Sequence, residues 1–281
     1  MIGGPSFLRK EARIHDAPAP KDVPVLSQNI GQFTRGEPWR LGLVHDRPAD
    51  LLIWITRGQG KALIDGVRRG LGAHNALFLP AGTLFSVSLG PQTLAQVVQA
   101  PSGTFTKPGS GGRLLRVRDG LVQAELTGLV DALSREISQN RPHLKDAIEA
   151  HLKLMSVWLR RHEEETDRPR ESASDRLARR FADLLVAEHR SAMNMADYAK
   201  RLDVTPTHLA RVCRSASGVT AADLLTERKV HAARCALADT EKPIQKIAEG
   251  LGFGSPAYFT RFMQNQTGHT PSALRQRSKR T

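Results

Sequence analysis

Residues 193–218 read MNMADYAKRLDVTPTHLARVCRSASG, and residues 243–268 read PIQKIAEGLGFGSPAYFTRFMQNQTG. In the first stretch, Asn194 can cap a helix over 195–202 whose apolar positions are Tyr198, Ala199 and Leu202, and Asp203-Val204 makes a turn. Thr205 then offers a second capping oxygen. Pro206 takes the first helical position, where its missing N–H costs nothing. The helix over 206–216 buries Leu209 and Val212, and Gly218 ends it as a left-handed cap. The second stretch repeats this grammar. Pro243 opens a helix with Ile244, Ile247, Ala248 and Leu251 inward, and Gly252 stops it. Ser255-Pro256 restates Thr205-Pro206, a helix packs Phe259, Phe262 and Met263, and Gly268 closes it. Between the stretches, Thr220 caps a helix over 221–238 rich in Ala, Leu and Arg, a strong helical composition. Two helix-turn-helix units joined by one long helix predict a chain that places two helices in DNA.

Charge agrees with that expectation. Residues 168–281 hold 20 Lys and Arg against 11 Asp and Glu, whereas residues 1–167 hold 21 against 17. The excess that would meet phosphate is concentrated on the helix-turn-helix half. The 281 residues suit two domains. A hydrophobic fraction of 40% and no apolar run near the ~20 residues of a membrane span imply a soluble chain with no membrane partner. The N-terminal residues lack the apolar core of a signal peptide. Cys213 and Cys235, the only cysteines, make no disulfide framework, so the expected location is cytoplasmic.

Ahead of the helix-turn-helix half, residues 1–25 read as a loosely held arm rich in Pro, Ala and charge. Short strand-like runs follow at 39–44, 51–56, 61–64, 67–71, 76–79, 84–89 and 94–98, punctuated by Asp65-Gly66, Pro80-Ala81-Gly82 and Gly90-Pro91. They predict an antiparallel barrel or sandwich over 26–112. A Gly/Pro/Ser loop over 101–112 leads into two amphipathic helical runs within 113–165. The first carries Leu121, Leu129, Leu133 and Ile137, and the second Ile148, Leu152, Met155 and Leu159, broken at Arg141-Pro142. HEEETDRPRE at 162–171 reads as the linker. The expected fold class is α+β in two domains, a β-barrel followed by helices and then an all-α double helix-turn-helix domain.

Residues 176–278 resemble the AraC/XylS family of bacterial transcription regulators. The signature positions are Ile247-Ala248, Gly252-Phe253, Ser255, Tyr258-Phe259, Arg261-Phe262, Gly268 and Thr270-Pro271-Ser272. The resemblance implies two recognition helices in successive major grooves on one face of double-stranded promoter DNA. It places Thr207, Ala210 and Arg211 in the base-facing slots of the first helix, with Arg214 nearer phosphate. In the second helix it places Ala257, Thr260 and Arg261 there, with Ser255 and Gln264 near the backbone. Arginine can pair with guanine O6 and N7, and threonine or alanine can touch a thymine methyl. Ala210 departs from the larger polar residue often found at its position. His208 is expected partly packed, Cys213 an inert core thiol, and Arg228, Lys229 and Arg234 on a solvated face of the long helix.

Residues 40–98 resemble, with far lower specificity, the cupin-like effector domain of many AraC relatives, whose strand-hairpin-PxG layout the run LLIWITRGQGKALIDGVRRGLGAHNALFLPAGTLFSV follows. Metal-binding cupins need an HxH pair, a Glu and a later His. Here His45 is followed by Asp46 and Arg47, and Phe85 stands where the later His would fall. No metal, cofactor or catalytic residue is therefore expected. An apolar interior lined by His45, Trp54, His74, Phe78 and Phe85 is the candidate site for a small organic effector. The family also implies dimerisation through 114–161, where Leu121, Leu129 and Leu133 form a candidate stripe against a self-packed alternative. Family habit favours an activator, which would make RNA polymerase a further partner. Two alternatives stay open: a cupin-type metalloenzyme fused to a DNA-binding module, and a constitutive regulator with a ligand-free barrel.

Overall fold

A computed structural model describes residues 23–105, 110–164 and 172–280. Most of the expected arm and residues 165–171 of the expected linker lie outside the described residues.

Strands β1 (Leu26–Asn29), β2 (Ala49–Arg57), β5 (Asn75–Leu79), β7 (Leu94–Pro101) and β8 (Arg113–Arg116) form one antiparallel sheet in the order β1-β7-β2-β5-β8. Strands β3 (Gly60–Ile64), β4 (Val67–Leu71) and β6 (Phe85–Leu89) form a second, in the order β4-β3-β6. The Asp65-Gly66 turn has φ of 49° and 77° and joins the pair Ile64–Val67, the two positive φ values that a two-residue hairpin of matching twist requires.

One face of the larger sheet packs on the smaller sheet through Leu51, Ile53, Ile55, Leu77, Leu79, Phe85, Val87 and Val97. Its other face presents Leu52, Trp54, Ala76, Phe78 and Val98 to helices α3 (Gly120–Gln139) and α4 (Leu144–Glu164). Side chains alternate across a strand, so β2, covered on both faces, is apolar without interruption from Leu51 to Ile55.

Three expectations need correction. The N-terminal unit is α+β as anticipated, but the barrel is not closed: the sheets remain separate, ending on strands of four or five residues. The run 39–44 is not a strand. Pro38, at φ −56°, starts a one-turn helix α2 (Trp39–Gly42) after a similar turn α1 (Ile30–Phe33). Leu41 turns into the core between the sheets, whereas Val44, beyond the extended Leu43, packs with the C-terminal helices. The apolar stripe over 121–133 is divided as well. Leu133 is buried and Leu129 packs against the large sheet, while Leu121 remains 84% exposed.

The C-terminal half comprises α5 (Ala173–Glu188), α6 (Met195–Arg201), α7 (Pro206–Ser217), α8 (Ala221–Asp239), α9 (Ile244–Gly250), α10 (Pro256–Thr267) and α11 (Pro271–Arg280). Helix α5 lies outside the helices expected from the sequence, and Ser172 and Asp175 form a reciprocal capping box at its start. Phe181, Leu185, Tyr198, Leu209, Val212 and Leu224 make one core, and Leu237, Ile247, Leu251, Phe259, Met263 and Leu274 another. Helix α8 runs through both. Val44, Leu63 and Leu84 of the sheet unit join the first core, so the two halves share apolar packing. Cys213 is buried there, and burial pushes its thiol up to about 12, which leaves no thiolate at neutral pH.

Candidate nucleic-acid interface

Helices α7 and α10 are built alike. Thr205 Oγ1 accepts from the His208 N–H at 3.2 Å, and Ser255 Oγ accepts from the Tyr258 N–H at 3.2 Å. Each then carries proline in its first turn and ends on a glycine of positive φ, 86° at Gly218 and 73° at Gly268. Leu209, Val212 and Cys213 turn one face of α7 into the core, as Phe259 and Met263 do for α10.

The opposite faces carry two matching stripes. Residues 207, 210, 211 and 214 on α7, and 257, 260, 261 and 264 on α10, share the helical spacing that aligns side chains on one surface. Thr207, Arg211, Arg214, Ala257, Arg261 and Gln264 are exposed, and Ala210 and Thr260 half-buried. Ser255, also exposed, sits at the N-cap. Thr260 Oγ1 donates to the Pro256 carbonyl at 3.0 Å, which occupies its hydroxyl proton. His208 is exposed rather than partly packed, because it sits on the outer side of α7. Its Nδ1 lies 3.1 Å from an Arg211 guanidinium nitrogen and accepts from it, so the two side chains meet at the surface.

The two units are held close by backbone contact. A Cβ on Gly252, at φ 73°, would stand 2.6 Å from the Ser191 carbonyl oxygen and 2.7 Å from that of Arg190. Only glycine fits such an approach, which seats the turn of the second unit on the loop entering the first. Lys229 of α8 spans the same seam, donating to Ser191 O at 3.3 Å with its ammonium 5.2 Å from the Phe253 ring centroid.

The cationic positions of α8 correct the expectation of a solvated face. Arg228 is buried and ion-paired to Asp46. Arg234 lies half-buried with its guanidinium 4.2 Å from the Trp39 ring centroid. His231 stacks on His45 with centroids 4.0 Å apart, and its Nε2 lies 3.3 Å from the Arg40 carbonyl oxygen. The Val44 N–H donates to Glu227, and Arg40 reaches both Glu37 and Asp239. The helix that joins the two helix-turn-helix units is thus docked along the 35–47 segment of the sheet unit.

The five candidate effector residues do not gather in one place. His45 is fully buried, its ring 4.3 Å from Phe85, at this junction. Burial first, then His231 and Arg47, hold its pKa well below the ordinary imidazole value. Trp54 and Phe78 lie on the other side of the large sheet. There Trp54 Nε1 donates to Thr127 at 3.0 Å, and Phe78 packs by Phe105 and Trp158. His74, at φ 59°, lies 6.1 Å from the Trp54 ring. Among the described residues, no three His, Cys, Asp or Glu side chains cluster to hold a metal ion. No described helix is long and apolar enough to cross a membrane.

A family model described as a helix-turn-helix domain matches residues 198–277. The regulatory protein SoxS of Escherichia coli (strain K12) is 33% identical over 85 residues, which cover 30% of this chain and 79% of SoxS. The bifunctional transcriptional activator/DNA repair enzyme AdaA of Bacillus subtilis (strain 168) is 35% identical over 75 residues, 27% of this chain and 36% of AdaA. The HTH-type transcriptional regulator GlxA of Rhizobium meliloti (strain 1021) is 35% identical over 28% of this chain and 25% of GlxA. The match therefore spans well under half of AdaA and GlxA. Among solved structures, fatty acid-bound ToxT from Vibrio cholerae covers 90% of this chain and 95% of its own, at 15% identity and a TM-score of 0.44. The C-terminal domain of AraT, a response regulator from Geobacillus stearothermophilus, covers 38% and 88%, at 27% identity and a TM-score of 0.36. A shared helix-turn-helix architecture, matched across most of SoxS, identifies this chain as a member of the AraC/XylS family of transcription regulators.

Proposed function

We propose that the protein binds double-stranded promoter DNA sequence-specifically, with α7 and α10 in successive major grooves, and regulates transcription as an activator. One observation carries the proposal: two exposed stripes of matching spacing sit on helices whose other faces form the core. Arg211 and Arg261 hold equivalent places in them and are the guanine readers. Thr207, Ala257 and Thr260 supply methyl contacts, and Ala210 leaves the first helix the weaker reader. Arg214, Ser255 and Gln264 meet the backbone. The N-terminal unit answers a small effector and supports a homodimer that presents the DNA-binding half to RNA polymerase, within the cytoplasm. The assigned chemistry is binding, with no catalytic step.

Arg211→Ala and Arg261→Ala are each expected to weaken binding to a selected site by about 1–3 kcal/mol, with little change on random-sequence DNA. Arg214→Ala is expected to weaken both alike and to reduce the salt dependence. Fluorescence anisotropy on both duplexes at several salt concentrations measures this. Equal losses on both duplexes for Arg211→Ala and Arg261→Ala would remove the base-reading assignment.

A further inference from the structure

Arg68 stands on β4, an outer strand of the smaller sheet, and pairs across the ladder with Leu63 of β3. Cross-strand partners share a face, so Arg68 lies on the side of the sheet where Leu63 enters the core of the first helix-turn-helix unit. Arg69 pairs with Ala62 and lies on the other side, where Ala62 joins the core between the sheets. Both arginines are exposed. An exposed arginine on an edge strand by itself says little, since such charges also guard sheet edges.

Arg68 is set apart by where it reaches. A Cβ on Gly218 would stand 3.4 Å from an Arg68 guanidinium nitrogen and 3.9 Å from its Cδ. Gly218 is the left-handed cap of α7, and it follows Thr207, Arg211 and Arg214 at four- and three-residue steps along one stripe. Seven residues of helical rise put it about 10 Å beyond Arg211. The major groove is about 12 Å wide, and recognition helices read bases with their N-terminal residues while their later turns approach the backbone. A cation at the end of this stripe therefore falls at the groove wall, one turn past Arg214.

That cation is available. Arg68 makes no ion pair among the described residues. Acids on the first half of α8 are engaged elsewhere: Asp223 accepts from the Thr220 N–H at 2.9 Å and its hydroxyl at 2.7 Å, and Glu227 accepts from the Val44 N–H at 3.3 Å. Lys61, on the same face as Arg68, is set against Glu227, whose charged form it favours.

We propose that Arg68 is a DNA contact of the sheet unit, binding a phosphate of the strand that borders the groove occupied by α7. Its ligand is the duplex backbone rather than a base, so the contact adds affinity without sequence preference. The inference rests on the placement of α7 in DNA proposed above. It makes the sheet unit part of the DNA-bound surface, and a movement of that unit against α7 alters affinity through this contact.

Fluorescence anisotropy of the full chain on a selected and a random duplex, at several salt concentrations, tests the contact. Arg68→Gln is expected to weaken binding about threefold or more on both duplexes alike, and to lower the slope of log affinity against log salt by about 1. Arg68→Lys keeps the charge and is expected to retain most of the affinity. Arg69→Gln, one residue on and on the opposite face, is expected to bind like the unaltered protein. Melting curves establish that each variant is folded, and Arg68→Ser replaces Arg68→Gln if the latter is not. Methylphosphonate substitution of single phosphates bordering the α7 groove then locates the contact. One neutralised phosphate is expected to weaken the unaltered protein and to leave Arg68→Gln unaffected. Lower thermal stability in Arg68→Gln with unchanged DNA affinity and salt slope would reduce Arg68 to a counter-charge at the C-terminal end of α7, and the contact would be overturned. Equal losses in Arg68→Gln and Arg69→Gln, or no phosphate whose effect depends on Arg68, would overturn it too. If the unaltered chain binds no duplex, the proposed function falls with it, whereas DNA binding indifferent to Arg68 overturns this inference alone.

Discussion

Asp46→Ala is expected to destabilise the protein by about 3 kcal/mol, because it leaves the Arg228 guanidinium buried without its counter-ion. The Arg228 side chain is 7% exposed and its Nε already lacks a partner, so Asp46 is the group that makes its burial tolerable. Asp46 itself retains 22% exposure, which puts the expected loss toward the lower end for a broken buried pair. The same logic makes the effect asymmetric. Arg228→Met leaves a carboxylate that water can reach and is expected to cost less. The double variant Asp46→Ala, Arg228→Met is expected to recover most of the loss, since no charge is then stranded. Urea unfolding followed by tryptophan fluorescence measures all three. A double variant no more stable than Asp46→Ala alone would mean that the ion pair is not what holds α8 to the sheet unit.

Acid is expected to open the same junction. Burial first, and then Arg228, lower His231 to about 3, while burial and Arg228 lower His189 to about 4. His45 is lowered as well, by burial, His231 and Arg47. A histidine whose folded pKa lies below its unfolded value favours folding only while neutral. The unfolded chain binds more protons as pH falls below about 6.5, so stability is lost from there down through about 4 and about 3. Asp50 and Glu227, raised by burial, act in the opposite direction as they protonate and blunt the lower part of the window. His231→Gln removes one of the three buried imidazoles and is expected to flatten the slope of stability against pH between 6.5 and 4. Urea midpoints across that range provide the check. A slope unchanged by His231→Gln would mean that His231 takes up its proton without opening the junction.

What could be read directly from the sequence was local. The turns into and out of α7 and α10 are fixed by neighbours three or four residues apart, so Thr205-Pro206, Ser255-Pro256, Gly218 and Gly268 announce them. The Asp65-Gly66 hairpin is legible for the same reason. Closure of the barrel was not, because it depends on pairing between strands distant in the chain. The fate of 39–44 turned on Pro38, whose fixed φ suits a helical turn as well as a strand edge. In a strand buried on both sides, apolarity does not say which face a residue takes, so Trp54 and Phe78 could be placed with Phe85 although the sheet separates them. The arginines of α8 looked solvated because their partners, Asp46 and Trp39, lie nearly two hundred positions earlier. Charge spacing along one helix cannot reveal such a partner.

Hydroxyl-radical footprinting of the full chain, on a duplex obtained by selection from random sequence, measures the paired use of α7 and α10 most directly. The expected footprint is two protected stretches on one face of the duplex, centred about one helical turn (10–10.5 base pairs) apart, with the stretch facing α10 lost in Arg261→Ala and that facing α7 lost in Arg211→Ala. A single protected stretch, or two on opposite faces, would contradict the placement of both helices in successive grooves.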